Sequence, residues 1–245
     1  MKNKTNKNFL QKYLVYPFGE ILLLVIGIII AVQINNWNTN RVEEIKAKKH
    51  LKSLINDMKT TVINNNKFIE RYEEETKRII LFQEKLMLEP ENITDSNLIR
   101  MFTRMQPITG TVLYQTAYDN MINSNSLQSI KNDTLKSSVS YLGTLYEYNR
   151  AQTKAYSVGW EDYMMPYIMK HANLVYSMVD SIPYENIVPQ MKKINRNAFV
   201  NNTEFFNVLT LRNGYAQHFI GLYEYENKYY ERSIKRIKRY LEEND

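Results

Sequence analysis

Histidine and cysteine, the side chains that most often bind metals or attack substrates, are scarce in this 245-residue chain. There is no cysteine, which excludes a disulfide framework and a thiolate site. The three histidines, His50, His171 and His218, have no second metal ligand three or four residues away. We interpret them as surface or packed residues, and we expect no metal and no cofactor.

Carboxylates that could act as acids or bases also lack a catalytic pattern. The densest group is three consecutive glutamates at residues 73–75, followed by Lys77 and Arg78. Opposite charges at this spacing are typical of a solvated helix face. No metalloprotease, phosphate-binding, nucleophile-elbow or dinucleotide-binding motif occurs in the sequence. We therefore expect that the protein is not an enzyme.

One carboxylate lies at the edge of an apolar stretch. Steps of three or four lead from Glu20 to Gly27, Ala31 and Asn35, which places these residues on one helix face. Small residues permit close helix approach, and a carboxylate in a membrane requires a polar partner. We expect this face to contact protein or to line a polar path. The alternative is that Glu20 extends its carboxylate to the nearby membrane surface.

The segment around this face has the composition of a transmembrane helix. Residues 21–32 have no polar side chain, and a helix over residues 14–34 spans about 31 Å, close to the thickness of a hydrocarbon core. Tyr13 and Tyr16 at one end and Trp37 at the other are typical interface anchors. The segment lacks a small-residue cleavage site. We therefore predict an uncleaved transmembrane helix over residues 14–37.

This segment also carries short motifs in a defined order. They are Gly-Glu-Ile at residues 19–21, Ile-Gly-Ile at 26–28, Ala31, and Gln-Ile-Asn-Asn-Trp-Asn at 33–38. In these motifs the segment resembles the N-terminal signature of an uncharacterised family of bacterial membrane proteins common in Bacteroidota, domain of unknown function 6090. Pro17-Phe18 departs from the small and aliphatic pair usual in that family. The resemblance implies a single-pass protein of the bacterial inner membrane and supplies no catalytic residues.

The charges that flank the span predict its orientation. Residues 1–13 contain four lysines and no acid, whereas residues 38–52 contain five basic residues beside two glutamates. The basic counts are nearly equal, but a short, purely basic tail before an uncleaved signal anchor usually stays in the cytoplasm. We expect residues 1–13 to be cytoplasmic and residues 38–245 to form a periplasmic domain.

Beyond the span, apolar residues recur at steps of four and three. This seam predicts one helix from about Asn38 to Leu88, which would extend roughly 75 Å from the membrane. Polar residues within a seam can define the register of helix pairing. The seam either packs within its own domain or forms a coiled coil between subunits. It consists of Leu51, Ile55, Met58, Val62, Asn65, Ile69, Tyr72, Thr76, Ile79, Gln83 and Leu86.

The rest of the chain is predicted to be helical, apart from one long loop that contains two prolines. Helix boundaries are taken from prolines, glycines and capping residues. The predicted segments are helices over residues 95–106, 111–123, 133–165, 166–179 and from Thr203 almost to the C-terminus, and a loop over residues 181–199.

The last helix ends in a run of cations. In an antiparallel arrangement these cations would return to the base of the first helix and form a collar at anionic headgroups. The alternative is a solvated face that complements the helix dipole. Residues 38–245 contain 28 basic and 25 acidic residues and no nucleic-acid-binding motif, so we expect no nucleic-acid partner. The collar residues are Lys46, Lys48, Lys49, Lys235, Arg236, Lys238 and Arg239.

Seven glycines and six prolines allow few tight turns, which disfavours sheet-based folds. The expected fold is all-α, a single N-terminal transmembrane helix followed by an elongated antiparallel helical bundle. The expected function is that of a membrane-anchored scaffold or interaction module, an accessory subunit of a cell-envelope complex. A homo-oligomeric ion channel that uses the Glu20 face and an extracytoplasmic sensor are the alternatives. The expected partners are the lipid bilayer and either further copies of the chain or a larger membrane complex.

The orientation can be tested with a reporter that is active only outside the cytoplasm, fused after Asp245. We expect activity, because the basic tail retains the N-terminus inside. Replacing the four lysines of residues 1–13 with asparagine should reduce this preference, since the flank after the span is equally basic. A fusion that is inactive with the natural tail would reverse the assignment.

Overall fold

A computed structural model describes residues 7–105, 110–172 and 194–244, without the side chains of residues 7–18 and 102–104. The described chain is all-helical, and its only β-type pairing is an isolated bridge between Ala172 and Ile194. Its α-helices are α1 (Lys7–Leu88), α2 (Asp95–Arg104), α3 (Thr116–Asn123), α4 (Asp133–Gly159), α5 (Met165–His171) and α6 (Thr203–Asn244).

Helix α1 joins the predicted span and the predicted long helix into one element of 82 residues. It contains neither glycine nor proline between Gly27 and its end, so nothing in the backbone interrupts it. It ends at Leu88 because Glu89 precedes Pro90, and a residue before proline is disfavoured in the helical conformation. At 1.5 Å per residue, α1 is about 120 Å long.

Exposure along α1 divides it into two parts. Residues 20–42 are exposed all round, whereas from Ala47 onward one face is buried. Of the described helices, α1 has a stretch long enough and apolar enough to cross a membrane. This finding supports a membrane anchor by length and composition, and the compartment and orientation stay predictions.

The buried face of α1 packs mainly against α6 of the same chain. As the residue number rises along α1, the number of its polar partner in α6 falls. The contacting pairs are Lys48 with Asn244, Asn65 with Glu226, Glu75 with Arg212, and Gln83 with Thr210.

Every position of the predicted seam is buried or half-buried in this packing. Its three polar members each contact polar groups of α6: Asn65 contacts Glu226 and Asn227, Thr76 contacts Gln217, and Gln83 contacts Thr210. Of the two alternatives, packing within the chain therefore accounts for the seam. A coiled coil between subunits through the same residues would require this face to be uncovered.

Three apolar clusters follow one another along α1 and α6. The cluster nearest the span includes Leu54 and Ile237, the middle cluster is aromatic around Tyr72 and Phe219, and the distal cluster includes Phe205. Helices α3 and α4 complete the cluster nearest the span, and α2 and α5 complete the distal cluster, so the core is a narrow column rather than a sphere.

Several predicted boundaries differ from the structure. Helix α3 begins at Thr116 instead of residue 111, and α2 ends at Arg104 instead of residue 106. Helix α4 ends at Gly159 because a π-helical turn, Trp160–Met164, follows it and leads into α5. A side-chain carbon at Gly159 would lie 2.6 Å from the Tyr215 hydroxyl, so any larger residue there would require the Tyr215 side chain to move.

Helix α5 ends at His171, and the remainder of the helix predicted to residue 179 lies outside the described residues, apart from Ala172. The predicted loop over residues 181–199 is described only from Ile194, where a short 3₁₀ turn, Arg196–Ala198, follows. Helix α6 begins at the predicted Thr203, with the Asn202 side chain accepting a hydrogen bond from the Phe205 amide.

The seam can be tested by placing a charge at Met58, which is 0% exposed. Met58→Asp should destabilise the domain by about 3 kcal/mol or more, because an unpaired carboxylate would enter an apolar layer. Lys59→Asp, at the next and exposed position, should change stability by about 0.5 kcal/mol or less. Thermal unfolding of the full chain by circular dichroism measures both, and equal tolerance would contradict the seam.

Candidate functional site

The predicted membrane face of α1 is exposed in the described part of the chain. Glu20, Gly27, Ala31 and Asn35 are all exposed and lie along one side of the helix. A carbon added at Gly27 would meet no other part of the described chain within 4 Å, apart from the adjoining residues and backbone of α1 itself, which leaves space for a neighbouring helix there. The structure therefore aligns these four residues but supplies them with no packing partner among the described residues.

At the end of the apolar stretch, Trp37 is 63% exposed, and the Arg41 guanidinium lies 5.8 Å from its ring centroid. This cation–π contact joins an amphipathic ring to a charge, a combination suited to the headgroup layer. Tyr13 and Tyr16, the anchors predicted at the other end, lie on α1 but outside the described side chains.

The two groups of predicted collar residues lie at the same end of the domain. Lys48 donates a hydrogen bond to the Asn244 carbonyl, and Ala47 packs in one cluster with Tyr240 and Leu241. Lys48 is half-buried, and the other six collar cations are exposed. Lys46 forms an ion pair with Glu43 at 2.7 Å. Contact with lipid headgroups stays a prediction.

The three glutamates at residues 73–75 do not share one environment. Glu73 and Glu74 are exposed, as the charge pattern predicts. The prediction is wrong for Glu75, whose side chain is 5% exposed and forms an ion pair with the buried Arg212. The Arg212 Nε donates to Glu75 Oε1 at 2.6 Å, and its guanidinium lies 5.8 Å from the Trp160 ring centroid. This pair joins α1 to α6 beside the π-helical turn.

A second buried carboxylate, Glu226 of α6, is 0% exposed and contacts two other helices. The Asn65 Nδ2 of α1 donates to Glu226 Oε2 at 3.2 Å, and the Asn149 Nδ2 of α4 donates to Oε1 at 2.9 Å. Burial raises the pKa of Glu226 to about 7, against the opposing effect of the two amide hydrogen bonds. This carboxyl can therefore exchange a proton near neutral pH.

Further polar groups surround Glu226. Asn65 also donates to Asn227 Oδ1 at 3.0 Å. The hydroxyls of Tyr146 and Tyr230 are buried, and burial, together with nearby negative charge that includes Glu226, raises the pKa of both. The carboxyl is thus buried among uncharged polar groups. Its loss of solvation favours the protonated form, whereas the amide hydrogen bonds favour the ionised form.

Sequence reasoning missed both buried carboxylates, although a signal was present. Glu75 lies three residues after the buried Tyr72, and Glu226 lies three residues after the buried Tyr223, so each shares the apolar face of its helix. Their helical phase predicts burial, but the partner on the other helix is not visible in one sequence.

The histidines occupy packed positions. His50 Nδ1 lies 2.9 Å from the Ser126 hydroxyl, and the rings of His171 and His218 lie against Tyr167 and Tyr156. In the described residues, no group of three or more histidine, cysteine, aspartate or glutamate side chains could hold a metal ion.

An open groove of about 560 Å³ runs between α4 and α6. Tyr141, Tyr148 and Tyr225 line it and are 38%, 46% and 51% exposed, and Leu145 and Leu222 contribute apolar lining. The hydroxyls of Tyr141 and Tyr225 lie 3.2 Å apart. Exposed tyrosines on a largely apolar surface are typical of protein-binding surfaces.

Over the residues that the structure describes, these features define a class of all-helical protein, with one candidate membrane helix and buried polar contacts between the long helices. The chain belongs to a family of unknown function (DUF6090), whose family model matches residues 20–157, more than half of the sequence. The match includes Asn65, Glu75 and Asn149 but not α6, which supplies their partners. No curated protein and no solved structure matches the chain.

The titration of Glu226 predicts how stability changes with pH. Its folded pKa of about 7 lies above the ordinary value of 4.5, so its contribution to stability is complete below pH 4.5 and is lost as pH rises through 7. Glu226→Gln should therefore leave stability unchanged at pH 4.5 and raise it by about 3 kcal/mol at pH 9.

Thermal unfolding of the full chain across this pH range measures the effect. Glu231→Gln, at an exposed position of the same helix, removes an equal charge and is the matched control. A constant difference between the Glu226→Gln variant and the natural chain at all pH values would contradict the assigned titration.

Proposed function

We propose that the protein is a single-span, membrane-anchored helical scaffold, an accessory subunit of a cell-envelope complex. In this proposal it is a Bacteroidota-type member of its family, with residues 1–13 in the cytoplasm and residues 14–37 spanning the inner membrane. Residues 38–245 form an elongated antiparallel bundle in the periplasm.

The observation that carries this proposal is the continuity of α1 from its exposed apolar stretch into the domain core. A flexible linker would let the domain adopt any orientation, whereas an unbroken helix gives each residue a defined height and direction relative to the membrane. A subunit that positions partners benefits from such a connection.

Two uncovered surfaces support an interaction role. The face that contains Glu20 and Gly27 can contact another membrane helix, either from a second copy or from a different subunit. The tyrosine-lined groove between α4 and α6 offers a contact surface far from the membrane. The collar cations at the membrane-proximal end can contact anionic headgroups and stabilise the upright domain.

A homo-oligomeric channel is the second candidate function, and the exposure of Glu20 on the membrane face supports it. A ring of such carboxylates could select cations. An extracytoplasmic sensor is the third candidate, supported by the titration of Glu226 near neutral pH and by the rigid path that α1 provides to the membrane.

The proposal can be tested by changing the connection between span and domain. Insertion of seven glycine and serine residues after Asn40 should keep the anchor and the domain but abolish assembly of the envelope complex, because the domain loses its orientation. Insertion of seven alanines should retain more of the complex, since seven helical residues add two turns and nearly preserve the facing direction. Native mass measurement of the gently solubilised protein gives the readout.

Equal assembly by the natural chain and by both insertions would contradict a rigid scaffold. Glu20→Gln, measured in the same assay and by bilayer recording, separates the second candidate. A scaffold should keep its complex and show no conductance with either residue, whereas a channel should form a homomeric ring whose conductance or selectivity changes.

A further inference from the structure

We infer that the pocket at the junction of α1 and α2 binds an amphipathic anion, a carboxylate or phosphate group attached to a compact apolar body. This junction pocket has a volume of about 280 Å³ and lies between the last turns of α1, the connecting 3₁₀ turn Pro90–Asn92 and α2. The inference concerns ligand binding and does not rest on the scaffold proposal.

Cations dominate the charge of the junction pocket. Arg78 and Lys85 line it from α1, seven residues and therefore about two turns apart, and Arg100 lines it from α2. One carboxylate, Glu89, also lines it and accepts a hydrogen bond from the Asn92 side chain at 3.2 Å. Among the lining residues, three cations and one acid leave a net positive charge, which Glu74, 3.7 Å from the Arg78 guanidinium, offsets in part. The remaining positive charge favours an anionic ligand.

Between the cations the lining is apolar. Leu81 and Phe82 of α1 face this space together with Met101 of α2 and Ile93 of the connecting turn. Leu81 is 58% exposed, so an apolar surface lies open to solvent directly beside the charges. A ligand that is only charged would leave this surface uncovered, and a neutral apolar ligand would not use the cations.

Hydrogen bonds hold the walls of the junction pocket in place. Arg196, from a distant part of the chain, donates to the carbonyl oxygens of Pro90, at 2.9 Å, and of Ile93. At the start of α2, Thr94 donates to Asn97 Oδ1 through its hydroxyl at 2.7 Å, and the Asn97 amide donates back to Thr94 Oγ1 at 3.1 Å. Asn97 itself lines the pocket. The connecting turn is therefore ordered by the protein alone, which lowers the entropic cost of binding.

The volume indicates a small ligand. Small-molecule sites usually measure about 300–1,000 Å³, so a pocket of about 280 Å³ lies at the lower limit. A single aromatic ring or a short alkyl chain would lie on Leu81 and Phe82, and its acidic group would lie between Lys85 and the arginines.

The test compares two ligands that share one apolar group but differ in charge. The full-length protein in nanodiscs of zwitterionic lipid is titrated with 4-(trifluoromethyl)phenylacetate, and binding is followed by ¹⁹F NMR line broadening against empty nanodiscs. We expect saturable binding of this anion. The neutral 4-(trifluoromethyl)benzyl alcohol should bind much more weakly, and inorganic phosphate at equal concentration should not displace the anion.

Matched variants locate the site. Lys85→Gln should weaken binding of the anion by about threefold or more, and Arg78→Gln combined with Lys85→Gln should weaken it further. Lys77→Gln removes an equal charge from an exposed position of α1 outside the pocket lining and should have little effect. Unchanged thermal unfolding of each variant shows that the fold is retained.

Three results would overturn the inference. Equal binding of the neutral alcohol would show that the cations have no role, and full displacement by phosphate would show that the apolar lining has none. An equal loss of binding in Lys77→Gln and Lys85→Gln would indicate diffuse attraction to a basic surface instead of a site.

Discussion

Buried polar contacts inside an otherwise apolar interface set the relative position of α1 and α6. Glu75 pairs with Arg212, and Asn65 reaches Glu226. Apolar seams tolerate a shift of one turn, because one aliphatic residue can replace another at similar cost. A shift here would separate the buried ion pair and leave charges without partners, at a cost that apolar contacts cannot offset. The positions of the other helices depend on this register, since they pack on the column that α1 and α6 form.

Much of this column could be predicted because one face of each long helix repeats. The buried and half-buried seam from Leu51 to Leu86 and the start of α6 at Thr203 could be predicted, because periodicity and capping are local properties. The burial of Glu75 could not be predicted, since its local charge pattern is that of a solvated face and its partner lies 137 residues away. Likewise, nothing local indicates the close approach of Tyr215 to Gly159.

The candidate sites also differ in how far they could be predicted from local sequence. The alignment of Glu20, Gly27, Ala31 and Asn35 on one side of α1 could be predicted because these residues follow one another at helical spacing, and what contacts this face stays a prediction. The junction pocket was not, because its walls come from two helices and its turn is held by Arg196, about one hundred residues further along. Sequence periodicity predicts which residues share a helix face. Prediction of a concave site also requires the angle between the helices that form its walls.

Because α1 is one continuous helix, a tilt of its N-terminal part also moves the domain. Transmembrane helices tilt when the thickness of the surrounding bilayer changes, because the apolar stretch must remain matched to the hydrocarbon layer. A tilt of about 10° displaces the far end of a rigid 75 Å arm sideways by about 13 Å. In a chain with a jointed connection this movement would be lost at the membrane surface. In the proposed topology, a change in bilayer thickness around residues 14–37 would therefore displace the distal end of the domain sideways.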